Sequence, residues 1–517
     1  NDAVNQGWLC DKGRYNFEYL NSDSRLKTPL KKIDNELVEI EIQDVYSELS
    51  EVIKDRQTKV NFLLGSNLTN EDYVAFREFS EIISQSEKSF YLNDDKLHPG
   101  LFGENVNLAK VDDLNSSDAI VVWAEDLKEK IPVLYLRIRQ AVKNGVKLVV
   151  FGHTNETLSD IADVFYGKET VSENFEIVKD ISKLKEIKDL VIGKNITAIL
   201  GKSTPHQSDT SVTKLFEFLN SNSNSKVLNA YSKGNTYGAF QTLENVKGLN
   251  DFVNEISEEN TDLLFIVGAD PVGRSVYSNQ IKSIIEGLDT VVALDNFNHE
   301  TSELANFLIP MSSTLGEKEG TFTNIEFRTS RIDKLVPSPG QTVSDWEFIT
   351  SLMNFAGLTI ETNSLESLNK KAYENLDSSL SPVFDNLDKP SNLDGMVNVS
   401  KPKISSSDNN LNEAKFFTGE KLYGDSATER HSDSISLLGS KKYIEVSEGV
   451  VEKYNLTSGK CTLIQDELEV TVSYEVNKSF PNDLIYIPTN RRELNKFDFS
   501  REIMIIPSQV KEALNVN

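Results

Sequence analysis

From Lys59 to Leu294 the chain alternates apolar-rich runs with helical patterns. Lys59–Leu64, Ala119–Trp123 and Val146–Phe151 read as buried strands, and Ile196–Gly201, Leu263–Val267 and Thr290–Leu294 repeat the pattern. Between them the spacing predicts a helix capped at Thr69/Asn70 and running through Ile83. Further helices are expected over Pro132–Val142, opened by Pro132 and closed by Gly145, over Thr210–Leu219 and over Ser275–Ile285. Unbroken apolar strands separated by helices predict parallel sheets covered on both faces. Either two α/β units or one large doubly wound sheet would satisfy that pattern.

The rhythm changes after about Asn363. From there to Lys415 the residues are mainly Ser, Asn, Asp and Lys, with Pro382, Pro390 and Pro402, which predicts a linker-like segment. Short strands follow at Tyr443–Val446, Lys460–Ile464, Leu468–Ser473 and Leu484–Ile487, with turns at Gly459 and Pro481. They predict a small C-terminal β-barrel. The expected organisation is a lead-in over 1–35, an α/β body over 36–362 (units about 50–190 and 191–362), a linker over 363–415 and the β-domain over 416–517.

Composition narrows the function. The chain has 517 residues, 38% of them hydrophobic and 26% charged, enough for more than one domain. No run of about 18 apolar residues exists to form a membrane-spanning helix. A formal charge of −26 argues against nucleic acid and against an anionic membrane surface. It fits a solvated acidic surface, or one that docks onto a basic partner. Two cysteines 451 positions apart, Cys10 and Cys461, make no disulfide framework and suit a reducing, cytoplasmic setting.

Cys10 lies in Trp8-Leu-Cys10-Asp-Lys12-Gly13-Arg14-Tyr15. An iron–sulfur cluster needs about four thiolates, so Cys10 alone holds none. A cation at Lys12 suits the negative charge of a cluster. Gly268-Ala-Asp270-Pro-Val-Gly273-Arg274 follows a strand and opens a helix, where backbone N–H groups can meet an anion. It serves equally as a tight turn without a ligand. Gly65-Ser-Asn67, Asn235–Gly238 and His153 occupy similar loops and read as structural. The histidines at 98, 153, 206, 299 and 431 show no metal-ligand spacing.

The Cys10-x-Lys12-Gly13-Arg14-aromatic string resembles the last-cysteine motif in the iron–sulfur domain of molybdopterin oxidoreductases. Arg25-Leu-Lys-Thr28-Pro29-Leu30 resembles the lead-in of that family. The segment Asp295–Asn298, His299-Glu300-Thr301, Ala305–Pro310, Glu317–Arg328, Pro337–Gly340, Asp345-Trp346 is similar to its longest signature, in order and spacing. The resemblance implies that the intact protein carries the first three cluster cysteines before Asn1. It implies that Cys10 is a 4Fe–4S ligand tuned by Lys12. Gly268, Asp270, Gly273, Arg274, Asp295, Gly320, Thr321 and Asn324 would be the remains of a dinucleotide site.

Formate dehydrogenases of this family place a metal-binding Cys or selenocysteine directly before His-Gly-Pro. The counterpart here is Lys96-Leu97-His98-Pro99-Gly100, and leucine binds no metal. Asp94 or Asp95 are the substitutes at hand. The body therefore resembles a scaffold without a molybdenum ligand, as in the branch that supplies the largest peripheral-arm component of NADH:quinone oxidoreductases (respiratory complex I). That branch implies electron transfer through clusters, no catalytic residue in this chain, and the other peripheral-arm subunits as partners. It implies a peripheral position on the cytoplasmic side of the plasma membrane, with no insertion into the membrane. The alternative is a formate-dehydrogenase-like enzyme whose molybdopterin dinucleotides meet Gly268–Arg274 and Thr321–Asn324.

Overall fold

The computed structural model describes residues 5–54, 58–83, 89–94, 107–124, 126–152, 156–166, 185–201, 209–358, 360–373, 415–439, 443–480, 482–491, 493–499 and 501–508. Asp95, Leu97, His98, His153 and His206 lie outside these residues, as does most of the 363–415 segment.

The apolar runs form two parallel sheets. The larger has eight strands in the order Val246–Lys247, Phe90–Leu92, Val60–Leu64, Leu263–Val267, Thr290–Asp295, Phe307–Pro310, Leu30–Ile33, Glu36–Glu39. The first six are parallel, and the Leu30–Ile33/Glu36–Glu39 hairpin closes the edge antiparallel. Both faces are buried, as unbroken apolar strands require. Phe62 and Phe265 face one core with helices Ile42–Ile53, Asn70–Ile83, Asp345–Phe355 and Leu365–Ala372. Leu63, Leu264 and Ile266 face the other, with Leu249–Glu255 and Ser278–Gly287. Register puts the rings of Phe90, Phe62 and Phe265 in a row, with centroids 5.1 and 5.7 Å apart.

The second sheet is wholly parallel, in the order Val164–Tyr166, Lys147–Phe151, Ala119–Trp123, Asn195–Gly201, Asn224–Ala230. There are thus two units, but they do not divide at 190/191. Val60–Leu64 pairs with Leu263–Val267, whereas Ala119–Trp123 pairs with Asn195–Gly201. The second unit is an insertion between Phe90–Leu92 and Val246–Lys247 of the first. Two further expected boundaries move. The lead-in belongs to the body, because Leu30 and Lys31 pair with Leu308 and Phe307. The linker-like segment begins later than Asn363, because Ser364 caps the helix Leu365–Ala372, which buries Leu368 and Ala372.

The small C-terminal β-domain is a mixed sheet ordered Lys415–Gly419, Leu484–Pro488, Tyr443–Val446, Leu468–Val476, Lys460–Gln465, Met504–Pro507, around one core. Cys461 sits in that core, where burial pushes its thiol up to about 12. No described helix is long and apolar enough to cross a membrane.

Candidate functional site

Parallel sheets leave their ligand sites at the carboxyl ends of the strands, where successive connections depart in opposite directions. In the larger sheet that point lies between Val60–Leu64 and Leu263–Val267. There the loops Gly65-Ser66-Asn67 and Gly268-Ala-Asp270 come together. The Gly65 N–H donates to the Val267 carbonyl at 2.7 Å, and a Cβ on Gly65 would stand 2.1 Å from the Gly268 carbonyl oxygen. Gly268 has a φ of +58°, a region that glycine enters without strain. Above these loops is a cleft of about 390 Å³, walled by both α/β units and by residues 420–428 of the C-terminal domain.

One wall is organised around His299. Its Nδ1 lies 3.2 Å from Asp270 Oδ1 and its Nε2 lies 3.1 Å from Asp295 Oδ2. Burial alone would lower the imidazole pKa, but the two carboxylates outweigh it and raise it to about 10. The two carboxylates thus favour the protonated ring over the neutral one. Burial would raise Asp270, yet His299, Thr301 and the Gly273 N–H hold it far below the ordinary carboxylate range. Asp270 Oδ1 accepts from the Gly273 N–H at 3.1 Å and from Thr301 Oγ1 at 2.7 Å. A Cβ on Gly273 would meet that carboxylate at 2.2 Å.

The opposite wall is cationic. Lys233 Nζ stands 2.8 Å from Glu420 Oε2, Lys130 Nζ 3.5 Å from the same oxygen, and Arg274 Nη2 3.5 Å from Glu420 Oε1. Burial would raise Glu420, but the three cations hold it well below the usual range. At the rim Cys10 is half-buried, and its Sγ accepts from the Gly13 N–H at 3.3 Å. Lys12 reaches from the same turn to Glu429 Oε1 at 2.7 Å and to the Leu422 carbonyl at 3.4 Å. Among the described residues no three His, Cys, Asp or Glu side chains are grouped to hold a metal.

Of the residues singled out from sequence, Cys10, Lys12, Gly268, Asp270, Arg274, Asp295 and also His299 meet at this cleft. Gly273 lies directly behind Asp270. Gly320, Thr321 and Asn324 do not line it. Thr321 is buried against Glu71, which takes its N–H at 2.7 Å and its hydroxyl at 2.9 Å. Gly320 has a φ of +157° and packs on Thr69 and Glu71. Asn324 turns its Oδ1 to the N–H groups of Glu326 and Arg328. Their neighbours in the signature act likewise. Arg25 clamps Glu317 through two bonds of 3.0 and 2.7 Å, and buried Lys318 joins Asp72 to Asp345. Asn235 spans the Leu68 carbonyl, Asn70 and the Thr323 N–H.

The sequence profile described as Molybdopterin oxidoreductase matches residues 25–355, which include both sheets. The chain belongs to this family. Among curated relatives, the F420-dependent formate dehydrogenase subunit alpha of Methanocaldococcus jannaschii is 22% identical over 68% of this chain and 65% of its own length. The chain thus spans just under two thirds of that relative. The NADPH-Fe(3+) oxidoreductase subunit alpha of Geobacter sulfurreducens is 22% identical over 99% of this chain and 71% of its own length. A subunit of the NADH-quinone oxidoreductase of Rhizobium meliloti is 24% identical, over 45% of this chain and 28% of its own. The formate dehydrogenase match is therefore the broader of the two branches weighed from sequence. Among solved structures, acetylene hydratase from Pelobacter acetylenicus shares the fold, with a TM-score of 0.59 at 11% identity over 93% of this chain and 87% of that one.

Membership implies a molybdopterin cofactor for the family at large. The described residues of this cleft do not fit a pair of pterin dinucleotides as they stand. A volume of about 390 Å³ is near the small end for one drug-sized ligand. The three cations suited to phosphate are already closed on Glu420. Lys130, Lys233 and Glu420 carried no mark in the sequence. They come from separate parts of the chain, and no local spacing relates them.

Proposed function

We propose that this chain is the body of an electron-transferring subunit in a multisubunit oxidoreductase that takes electrons from a nicotinamide nucleotide, of the kind found in the peripheral arm of NADH:quinone oxidoreductase. In this reading Cys10 is one thiolate of a 4Fe–4S cluster. The α/β body is scaffold for it, and neighbouring subunits of the complex are the partners. The observation that supports it is the seat of Cys10. A half-buried thiol at the cleft rim receives an N–H bond from Gly13, as cluster sulfurs commonly do. Lys12 fastens the same turn to the C-terminal domain through Glu429 and the Leu422 carbonyl, so the thiol is held between both parts of the molecule. The NADPH-Fe(3+) oxidoreductase subunit, similar along almost the whole chain, is compatible with this role.

The second reading is a formate-dehydrogenase-like enzyme, favoured by the breadth of that match. It requires Glu420 to leave the cation cluster. Metal analysis and EPR of the intact protein separate the two. We expect iron, an EPR signal of a reduced 4Fe–4S cluster that Cys10→Ser weakens or shifts, and no molybdenum. Stoichiometric molybdenum sinks the first reading and supports the second.

A further inference from the structure

The eight-stranded sheet ends on the strand Glu36–Glu39, which pairs on one side only among the described residues. Asp34 and Asn35, at φ of +50° and +67°, form the two-residue turn that fixes its register against Leu30–Ile33. That turn makes Ile33 with Glu36, and Lys31 with Val38, the hydrogen-bonded pairs of the hairpin. Lys32 between them turns its N–H the other way, to the Asn306 carbonyl at 2.8 Å. By the same alternation Leu37 and Glu39 point their N–H groups and carbonyls outward, at the open edge.

Alternation also sorts the side chains. Leu30 and Leu37 pack against one core of the sheet. Ile33 and Val38 lie on the opposite face and look onto helix Ile42–Ile53 across a groove of about 330 Å³, which Asp44 and Glu48 also line. They are 48% and 45% exposed, although both are β-branched residues on a sheet face. The corner is acidic. Lys31 is taken by Glu48 at 2.6 Å and Lys32 by the Glu303 carbonyl at 3.0 Å. Glu36, Glu39, Glu41 and Asp44 have no ion-pair partner among the described residues. Charges on a short edge strand guard it against pairing with its like. Two copies of this edge would set Glu36 and Glu39 against the same residues, on chains of formal charge −26. A basic strand meets no such barrier. None of the groove's residues lines the cleft of the larger sheet.

We propose that the edge Glu36–Glu39 and its groove dock a basic β-strand of a partner protein. The segment adds to the sheet as a further strand through the backbone groups of Leu37 and Glu39. It seats apolar side chains on Ile33 and Val38 and directs lysine or arginine heads to Glu36, Glu39 and Asp44. Backbone pairing supplies the geometry, and charge supplies the choice of partner. Electron transfer is not needed for this docking, so either idea can fail while the other stands.

Fluorescence anisotropy of a labelled peptide of Lys-Val repeats, titrated with the full chain, tests this beside hydrogen exchange of the Leu37 and Glu39 amides. Binding should saturate and slow both amides. It should be at least about tenfold tighter than for the Lys-Pro analogue, which carries the same charge but pairs poorly in a sheet. Val38→Lys and, separately, Asp44→Lys should each weaken binding at least about fivefold. Equal affinity for the two peptides, no saturable binding of the Lys-Val peptide, or unchanged exchange at Leu37 overturns the proposal. So does a wild-type dimer that Val38→Lys dissociates, which assigns the edge to a second copy. If Val38→Lys folds poorly, Asp44→Lys at an exposed helix position and the two peptides on wild type still decide.

Discussion

At the residue scale the cleft is governed by ions that could not persist singly out of water. His299 is buried with a carboxylate at each ring nitrogen, which favours its protonated form. Its folded pKa, about 10, lies above its unfolded value of about 6.5. The protonated ring is favoured by folding, so its contribution is complete below about pH 6.5. It is lost as pH rises through about 10. Unfolding free energy should therefore fall between about pH 7 and 10 in wild type, and His299→Gln should flatten that slope. Denaturant titrations across this range decide it, and equal slopes in both proteins would refute the assignment. Lys318 illustrates the same logic away from the cleft. Burial pushes Asp345 up to about 7 although Lys318 pulls the other way, and the triad with Asp72 anchors the signature segment to the helix Asn70–Ile83. Sequence resemblance pointed to Gly320, Thr321 and Asn324 as ligand contacts. The structure spends their polar groups, like those of Arg25 and Glu317, on internal bonds. A motif string reports that residues are constrained, and packing against Glu71 constrains Thr321 as firmly as a ligand would.

At the scale of elements, strands buried on both faces were the most legible. Ala119–Trp123 and Leu263–Val267 appear with the expected bounds, because an unbroken apolar run has few other places to go. Asn224–Ala230 was not visible, since its first residues are Asn, Ser and Lys at the edge of the smaller sheet. Phe90–Leu92 is too short to show a period. Strand pairing was not legible either. Nothing in Val60–Leu64 says that one of its two partners is about 200 residues away while the nearer strand Ala119–Trp123 belongs to another sheet. That pairing is what brings Gly65 against Gly268, and it makes the two loops one structure. Gly65→Ala should force them apart, with a backbone carbonyl 2.1 Å from the new carbon, and cost about 1–3 kcal/mol. Gly234→Ala, on the same cleft with its nearest neighbours at 3.8 Å, is the control and should be tolerated. Comparable melting temperatures for both variants would contradict this account.

At the scale of the whole molecule, the C-terminal domain is joined to the body largely by polar and ionic contacts. Glu420 meets three cations, Lys12 meets Glu429, Glu129 meets Lys421 and the Leu422 N–H, and Asn495 donates to the Val272 carbonyl at 3.0 Å. Its own core is separate from those of the two sheets. A domain with its own core, held on by ion pairs, melts with the rest only while those pairs are intact. Removing both lysines with Lys130→Ala and Lys233→Ala leaves Glu420 facing Arg274 alone at 3.5 Å, a carboxylate without its closest cation in a largely buried cluster. The loss should be on the order of 3 kcal/mol, concentrated at the domain interface. Calorimetry should then resolve two endotherms where wild type shows one, the earlier belonging to residues 415–508. Raising the salt concentration should bring wild type only part of the way, because largely buried pairs are screened less than exposed ones. A single undivided endotherm in the double variant would mean that the interface does not depend on Glu420 and its cations.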